Sequence, residues 1–434
     1  MQYNKLKQTA DNDIRTNQIG LVRNECKKNN VYNINTIASA YQQIKDEQLN
    51  DKRWCYGNYS ESGSDASGVI VNGATGEKQN CIIWSINHYL GFNRHPQVIE
   101  SAKKALDIYG TGCGTSAMSG GHSHLHKVLE DKLAKILGKE SALLFTSGYS
   151  ANIGAISGLA RGSDNLVLVD KDVHASVIDG CKLAGCKYLP FKHNSTSDLE
   201  TKLKKYTGKY KNIFVIVESV YSMTGNHAPL AEIAELRKKY NFLYFVDEAH
   251  AFGLYGKDGG GRCKALGISS DVDFIMTTLS KSTGSIGGVI ATSKEFATLL
   301  QVEATAYMFQ AAITPPDAAS IITALELIER EDHVVKGLWI KTKYFRAKLK
   351  NLGFDIGEGF SPIIPVYIRD SQKLLDMGKD LFAEGIFTTS VTFPAVHHKE
   401  VRFRFIVNAS HTMEQINRTI ETLVSIGRKY GIVE

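Results

Sequence analysis

From residue 142 onward the chain alternates short apolar runs with longer stretches of helical periodicity. The runs are Ala142–Thr146, Asn165–Asp170, Tyr188–Lys192, Ile213–Glu218, Leu243–Asp247, Phe274–Leu279 and Gly288–Ala291. Runs that are apolar on both faces belong in a sheet covered on both sides. The pattern therefore predicts an α/β large domain, residues 76–314, built on one seven-stranded, mostly parallel sheet. Beyond it, Pro315-Pro316 precedes a helical pattern from Asp317 to about Leu352, which reads as a connection into a second unit. There the strand-like Ile363–Ile368 and Arg402–Val407 alternate with helical patterns near 371–384 and 412–429, predicting a smaller C-terminal α+β domain over 315–434. Residues 1–75 are polar, helical in pattern to about Gln48, and then Gly/Ser-rich over Tyr56–Gly68, which predicts an N-terminal arm.

Composition narrows the function classes. A net charge of +6 on 434 residues, without a basic block or an aromatic-interleaved stripe, gives no nucleic-acid footprint. The mild positive balance suits acidic partners such as a phosphate cofactor, coenzyme A or an acyl carrier protein. Seven cysteines, an odd set with no C-x-x-C pair, match neither a disulfide framework nor a zinc site. The expectation is a cytoplasmic protein with no metal. The segment Met1–Gln8 lacks an apolar core, and no later run approaches the ~20 residues a membrane span needs. No integral membrane segment is expected, which leaves only a peripheral contact at the inner membrane.

Chemistry enters at Lys281, which lies between two strand-like runs with Thr278 and Ser280 before it and Gly287-Gly288 after it. An amine among hydroxyls and glycines suits a Schiff base with an aldehyde cofactor whose phosphate the neighbours hold. Upstream, the strand-like Phe245-Val-Asp-Glu-Ala-His250 places Asp247 at a strand end. A carboxylate there keeps a pyridine nitrogen protonated, so the pair reads as a site for pyridoxal 5′-phosphate (PLP). Ligands of such sheets bind beyond the carboxyl ends of the strands, where both residues stand. Thr146–Asn152 follows a strand and opens a helix, which offers Ser147, Gly148 and Tyr149 as an anion site. His174 begins the helix after the second strand and is placed to stack on the ring, and His250 follows Asp247 by one turn. The Gly-rich Gly253–Arg262 lacks both G-x-G-x-x-G and a GK[ST] ending, and reads as a surface turn. Arg402 and Arg404 alternate on one strand-like run and share a face, where a guanidinium can grip an α-carboxylate bidentately.

Taken together, these segments resemble the α-oxoamine synthases, PLP enzymes of fold type I. The resemblance runs from about Asn87 to Glu434 and rests on Asn87–Gly91, Tyr109–Gly114, His126–Glu130, Glu218–Met223, Val246–His250, Leu279–Ser282, and Arg404 with Ala409–Thr412. Around His193-Asn-Ser195, Ser280-Lys-Ser282 and Ser361–Pro365 it is most similar to the bacterial serine-using members. The resemblance implies a decarboxylative Claisen-type condensation of an amino acid, serine favoured, with a long-chain acyl thioester. In such a reaction the amino acid displaces Lys281, a Cα proton is removed with Lys281 as acid/base, the carbanion attacks the thioester carbonyl, and CO2 is lost. It implies that His174 stacks on the cofactor ring and Asp247 pairs with its nitrogen. His250 and Ser222 approach its oxygen, and Thr278 and Ser280 hold its phosphate. It further implies that Arg404, Asn87 and His122 meet substrate, and that in a homodimer Gln310 reaches the other subunit's phosphate. The chain departs from the family where Ser116-Ala117 replaces Ser-Arg, at His122, at Gln310-Ala311-Ala312, at Asn226 and at Thr277. These departures leave the cofactor chemistry intact and bear on the amino acid, for which cysteate, glycine and alanine are alternatives. An aminotransferase of the same fold type is the competing enzyme class.

Overall fold

The computed structural model describes residues 22–50, 56–393 and 395–434. Those residues form two compact units, one of residues 87–338 and one joining the chain up to Ile86 with residues 339–434. The first unit holds the seven-stranded sheet. Its spatial order is Ser141–Phe145, Gly288–Thr292, Phe274–Thr278, Leu243–Asp247, Asn212–Glu218, Asn165–Asp170 and Lys187–Phe191. All seven expected runs are strands of this sheet. Gly288–Thr292 alone runs antiparallel to its neighbours, and the other neighbouring pairs are parallel. The exception follows from chain length, because parallel neighbours need a crossover of about a dozen residues or more and only Leu279–Gly287 is available. Lys281 therefore sits on a hairpin turn at the edge where the parallel strands end.

The sheet is covered on both faces, as the near-continuous burial of Asn165–Asp170, Phe274–Thr278 and Gly288–Thr292 requires. On one face Phe145, Val167, Val169, Phe214, Ile216, Phe245, Met276 and Ile290 pack against Ala151, Ala155 and Ile156 of helix Gly148–Leu159 and Val177 and Cys181 of helix Ala175–Ala184. Gly180 lets these two helices approach, since a Cβ there would lie 2.9 Å from Ile156 Cβ. Their close packing brings the starts of both helices to the same sheet edge.

The compact unit of residues 87–338 extends past the expected break at 314–315. Helix Pro315–Arg330 packs on helices Pro96–Tyr109 and His124–Leu137. The single helical pattern expected to Leu352 is two helices, Pro315–Arg330 and Asp332–Asn351, interrupted where Glu331 leaves the helical region at φ −109° and ψ 57°. The other unit is built on an antiparallel sheet of Ile363–Tyr367, Arg402–Ile406 and Thr389–Val391, with helices Ser371–Ala383 and Met413–Lys429. The Gly/Ser-rich stretch, expected to be part of an arm, leads into strands Ser67–Val71 and Lys78–Ile83, and the latter pairs in parallel with Ile386–Phe387. Further upstream, helices Val22–Lys28 and Ile34–Asn50 pack through Val22, Cys26, Ile37, Ala40 and Ile44. The rest of the expected arm, residues 1–21 and 51–55, lies outside the described residues. Among the described residues no helix is long and apolar enough to cross a membrane.

Candidate active site

The turn carrying Lys281 is fixed by its own hydroxyls. Thr278 Oγ1 donates to Gly287 O at 3.1 Å and lies 2.9 Å from Ser280 Oγ, while Thr283 Oγ1 donates to Leu279 O at 2.7 Å and Ser282 Oγ to Phe252 O at 2.7 Å. Lys281 Nζ is 2.9 Å from His250 Nε2, and the other ring nitrogen of His250, Nδ1, is 2.7 Å from the hydroxyl of Tyr89.

Asp247 closes the neighbouring strand and is 4% exposed. Its carboxylate accepts from the Ala249 N–H and from Asn152 Nδ2, both at 2.9 Å. Asn152 also donates to Ser176 Oγ at 3.0 Å, and that hydroxyl lies 2.7 Å from His174 Nδ1. A continuous polar chain therefore links Asp247 to the imidazole of His174. Burial holds the His174 pKa below the ordinary histidine value, and the Lys281 charge lowers it further while Asp247 opposes both. Next to Asp247, Glu218 is fully buried and accepts from the Ser222 N–H at 3.3 Å. Burial, reinforced by the Asp247 charge, pushes its carboxyl well above the usual range.

The helix Gly148–Leu159 begins beside this group. Ser147 caps it by accepting from the Ser150 N–H at 3.1 Å. A Cβ on Gly148 would stand 2.9 Å from Thr278 Cβ, so only glycine lets the helix start approach the hydroxyls of the lysine turn so closely. The first-turn amides of Gly148 and Tyr149 have no i−4 acceptor, which makes this end an anion cradle facing Thr278 and Ser280. Tyr149 lies edge-on to His174, with ring centroids 6.0 Å apart, and donates its hydroxyl to Asp179.

Of the residues expected from sequence, Lys281, His250, Asp247, His174, Ser147, Gly148, Tyr149, Thr278 and Ser280 gather here, with Ser222 joined through Glu218. Asn87 begins the turn that carries Tyr89, whose N–H donates to Asn87 O at 2.9 Å. Two candidates are placed elsewhere in the same unit. His122 stacks on His126 at 4.7 Å and lies 3.9 Å from Glu130. Gln310 precedes Ala311, which bridges to Ser116, and its Oε1 is buried without a hydrogen-bond partner. Arg404 is buried on the middle strand of the other unit's three-stranded sheet. Sequence reasoning missed Tyr89, Asn152, Ser176 and Glu218 as site residues, although Tyr89, Asn152 and Glu218 fall inside segments it singled out.

The assembled groups suit a phosphorylated aldehyde with a ring nitrogen. They comprise an amine on a rigid turn, a buried carboxylate with two donors, a glycine-floored anion cradle, and two buried oxygens, Asn152 Oδ1 and Glu218 Oε1, that lack partners. Comparison with known proteins agrees. Residues 79–423 match the family described as aminotransferase class I and II. An 8-amino-7-oxononanoate synthase of Alkaliphilus oremlandii is 34% identical over 408 residues, covering 93% of this chain and 100% of that protein. A serine palmitoyltransferase of Bacteroides thetaiotaomicron is 40% identical over 346 residues, covering 80% of this chain and 87% of that protein. Among solved structures, an SPT with a PLP internal aldimine superposes with a TM-score of 0.86 at 28% identity, covering 93% of this chain and 100% of that one.

Proposed function

Because the chain belongs to the class I and II aminotransferase family and, within it, to the α-oxoamine synthases of fold type I, we propose that it condenses serine with a long-chain acyl thioester to a 3-keto amine, with loss of CO2. The observation that carries this reading is the juxtaposition of Lys281, His250 and Asp247 at one sheet edge, beside the cradle at Gly148. Bound PLP supplies an aldehyde that captures amines and an electron sink that delocalises a carbanion. Lys281 would hold the aldehyde carbon, Asp247 the ring nitrogen, and His174 the ring face. Ser222 and His250 would reach the ring oxygen. The phosphate would take the Gly148 and Tyr149 amides with the hydroxyls of Ser147, Thr278 and Ser280.

The Nζ of Lys281 would take a proton from the substrate Cα and return it there. Arg404 would fix the substrate carboxylate in a bidentate fork, with Asn87 and His122 as further substrate contacts. The acyl donor is acyl-CoA or an acyl carrier protein. A homodimer, in which Gln310 reaches the phosphate of the other subunit, completes the proposal.

Serine is favoured by the similarity to a serine palmitoyltransferase at 40% identity. A second reading, the same condensation with a different amino acid, is supported by the fuller coverage of the 8-amino-7-oxononanoate synthase, at 93% of this chain. Titrating the PLP-loaded protein with serine, glycine, alanine and cysteate while recording the visible spectrum tests both. The tightest response is expected with serine, followed by CO2 release that depends on an added acyl thioester. A tighter response to alanine, glycine or cysteate favours the second reading, and no response to any of them overturns both.

A further inference from the structure

Tyr89 is fully buried, at 0% exposure, and His250 nearly so. Its side chain reaches His250 from a turn closed by the Tyr89 N–H on Asn87 O at 2.9 Å and the Gly91 N–H on His88 O at 3.1 Å. That turn is braced against the lysine turn. Gly284 has φ +68°, and a Cβ there would lie 2.7 Å from the N of Asn93, in the short helix Phe92–Arg94 that follows the Tyr89 turn, so the lysine turn meets the backbone directly after that turn. Tyr89, His250 and Lys281 are thus three linked groups, joined at 2.7 Å and 2.9 Å through the two ring nitrogens of His250.

A neutral imidazole carries one N–H, so its two contacts must have opposite polarity. When Lys281 is an ammonium it can only donate, Nε2 must accept, and Nδ1–H points at Tyr89. When Lys281 is a free amine with a lone pair, Nε2–H can donate to it and Nδ1 must accept. A hydroxyl serves both cases, because it reverses from acceptor to donor by rotating about its C–O bond. We propose that Tyr89 is a positioning residue whose hydroxyl reverses in this way as Lys281 gains or loses a proton, keeping His250 neutral and hydrogen-bonded in both states. The inference rests on the reading of Lys281 as the cofactor lysine and adds the device that lets this amine shed its proton.

Among the described residues, titratable groups near Lys281 and Tyr89 include His174, Glu218, Asp247 and Tyr255. Burial lowers the His174 pKa and raises those of Glu218 and Tyr255.

Removing the hydroxyl does not weaken the two states equally. A buried N–H deprived of its acceptor is costlier than a buried lone pair deprived of its donor. Tyr89→Phe therefore disfavours the Nδ1–H form, which is the form that accepts from the ammonium, and Lys281 should lose its proton at lower pH.

The test uses full-length protein stripped of cofactor and mixed with PLP across a pH series, following growth of the visible band. The pH midpoint of the capture rate reports the proton on Lys281, and borohydride reduction with peptide mapping confirms the lysine. The Tyr89→Phe midpoint is expected about one pH unit below wild type, with no further shift when the substitution is made in a His250→Gln background. Placing 3-fluorotyrosine at position 89 keeps the ring and hydroxyl but makes a poorer acceptor, so a smaller shift in the same direction is expected. An unchanged midpoint in Tyr89→Phe, or an equal shift without His250, overturns the inference. If Tyr89→Phe does not fold, an unchanged midpoint with 3-fluorotyrosine overturns it. Failure of the wild-type protein to label at Lys281 overturns the functional reading, and this inference with it, before any variant is compared.

Discussion

Glu218 stands directly opposite Asp247 on adjacent parallel strands, residue against residue in register. Parallel neighbours point to the same face, so two carboxyl groups share one buried strand end, and ionising both is prohibitive. Asp247 has the donors, Asn152 and the Ala249 amide. Glu218 is the partner whose folded pKa is raised, first by burial and then by Asp247. A raised pKa means that the folded chain binds the proton more tightly than the unfolded one. The resulting stability is full below about pH 4.3 and drains away as pH rises toward the folded pKa. Glu218→Gln, a neutral isostere, should remove that dependence. Denaturant midpoints of the cofactor-free proteins at pH 5 and pH 8 should show Glu218→Gln gaining on wild type as pH rises. A parallel pH dependence in both would mean that Glu218 is ionised in the fold.

Asn152 ties the two ends of the site together through one amide nitrogen, which donates to both Asp247 and Ser176. Asn152→Ala removes a hydrogen bond to a buried charge, an effect of about 2 kcal/mol on stability. It should lower turnover at least tenfold with little change in the KM of either substrate. Asn152→Asp should be worse at neutral pH, because it sets a second carboxylate against Asp247, and should recover in part as pH falls. Urea unfolding and a pH–rate profile check both outcomes.

Why Asn152 and Tyr89 escaped the sequence reading is a matter of distance along the chain. Asn152 lies 95 residues from Asp247, and Tyr89 lies 161 from His250. An asparagine inside a helix start and a tyrosine inside a tight turn each have an adequate local explanation, and only the assembled sheet gives them their partners. Lys281 and Asp247 were legible because both follow apolar runs that can only be buried strands, and strand ends are where such sheets place chemistry. The pairing of Lys78–Ile83 with Ile386–Phe387 was hidden for the same reason as Asn152, since nothing local joins segments so far apart. The helix break at Glu331 carries no proline or glycine to announce it.

Arg402 and Arg404 share a face of their strand, and different roles are expected of them. The Arg402 guanidinium lies over the Tyr367 ring at 4.3 Å, donates to its hydroxyl at 2.8 Å and to Glu400 O at 2.7 Å, and is 2% exposed. Those bonds make it a structural cation. Arg402→Ala should destabilise the protein by about 2–3 kcal/mol, seen as a lowered unfolding midpoint. Arg404→Ala should raise the KM for the amino acid about tenfold or more. Arg404→Lys should not restore it, because an ammonium cannot reproduce the fork. Steady-state kinetics of the three variants, with the acyl thioester saturating, separate the roles. A larger KM defect in Arg402→Ala would exchange them.

The surface beside Gln310 leads to a last expectation, on assembly. Phe309 is 78% exposed and Met118 49% exposed, and their segments are joined, because Ser116 bridges to Ala311 and the Ala312 N–H donates to Thr115 O at 3.3 Å. Two large apolar side chains on linked segments, with a buried and unpartnered Gln310 Oε1 on one of those segments, are what an isologous interface would cover. A charge at the centre of such a contact is expected to weaken it by 2 kcal/mol or more, roughly thirtyfold in the dimer dissociation constant. Phe309→Asp should therefore shift the protein toward monomer in sedimentation velocity at micromolar concentration. It should also release PLP more readily than wild type, because Gln310 would no longer be held against a second subunit's phosphate. Met118→Asp should act in the same direction. A wild-type protein that is monomeric and fully active at nanomolar concentration would show that each chain completes its own site, and Phe309 would then be an ordinary exposed aromatic.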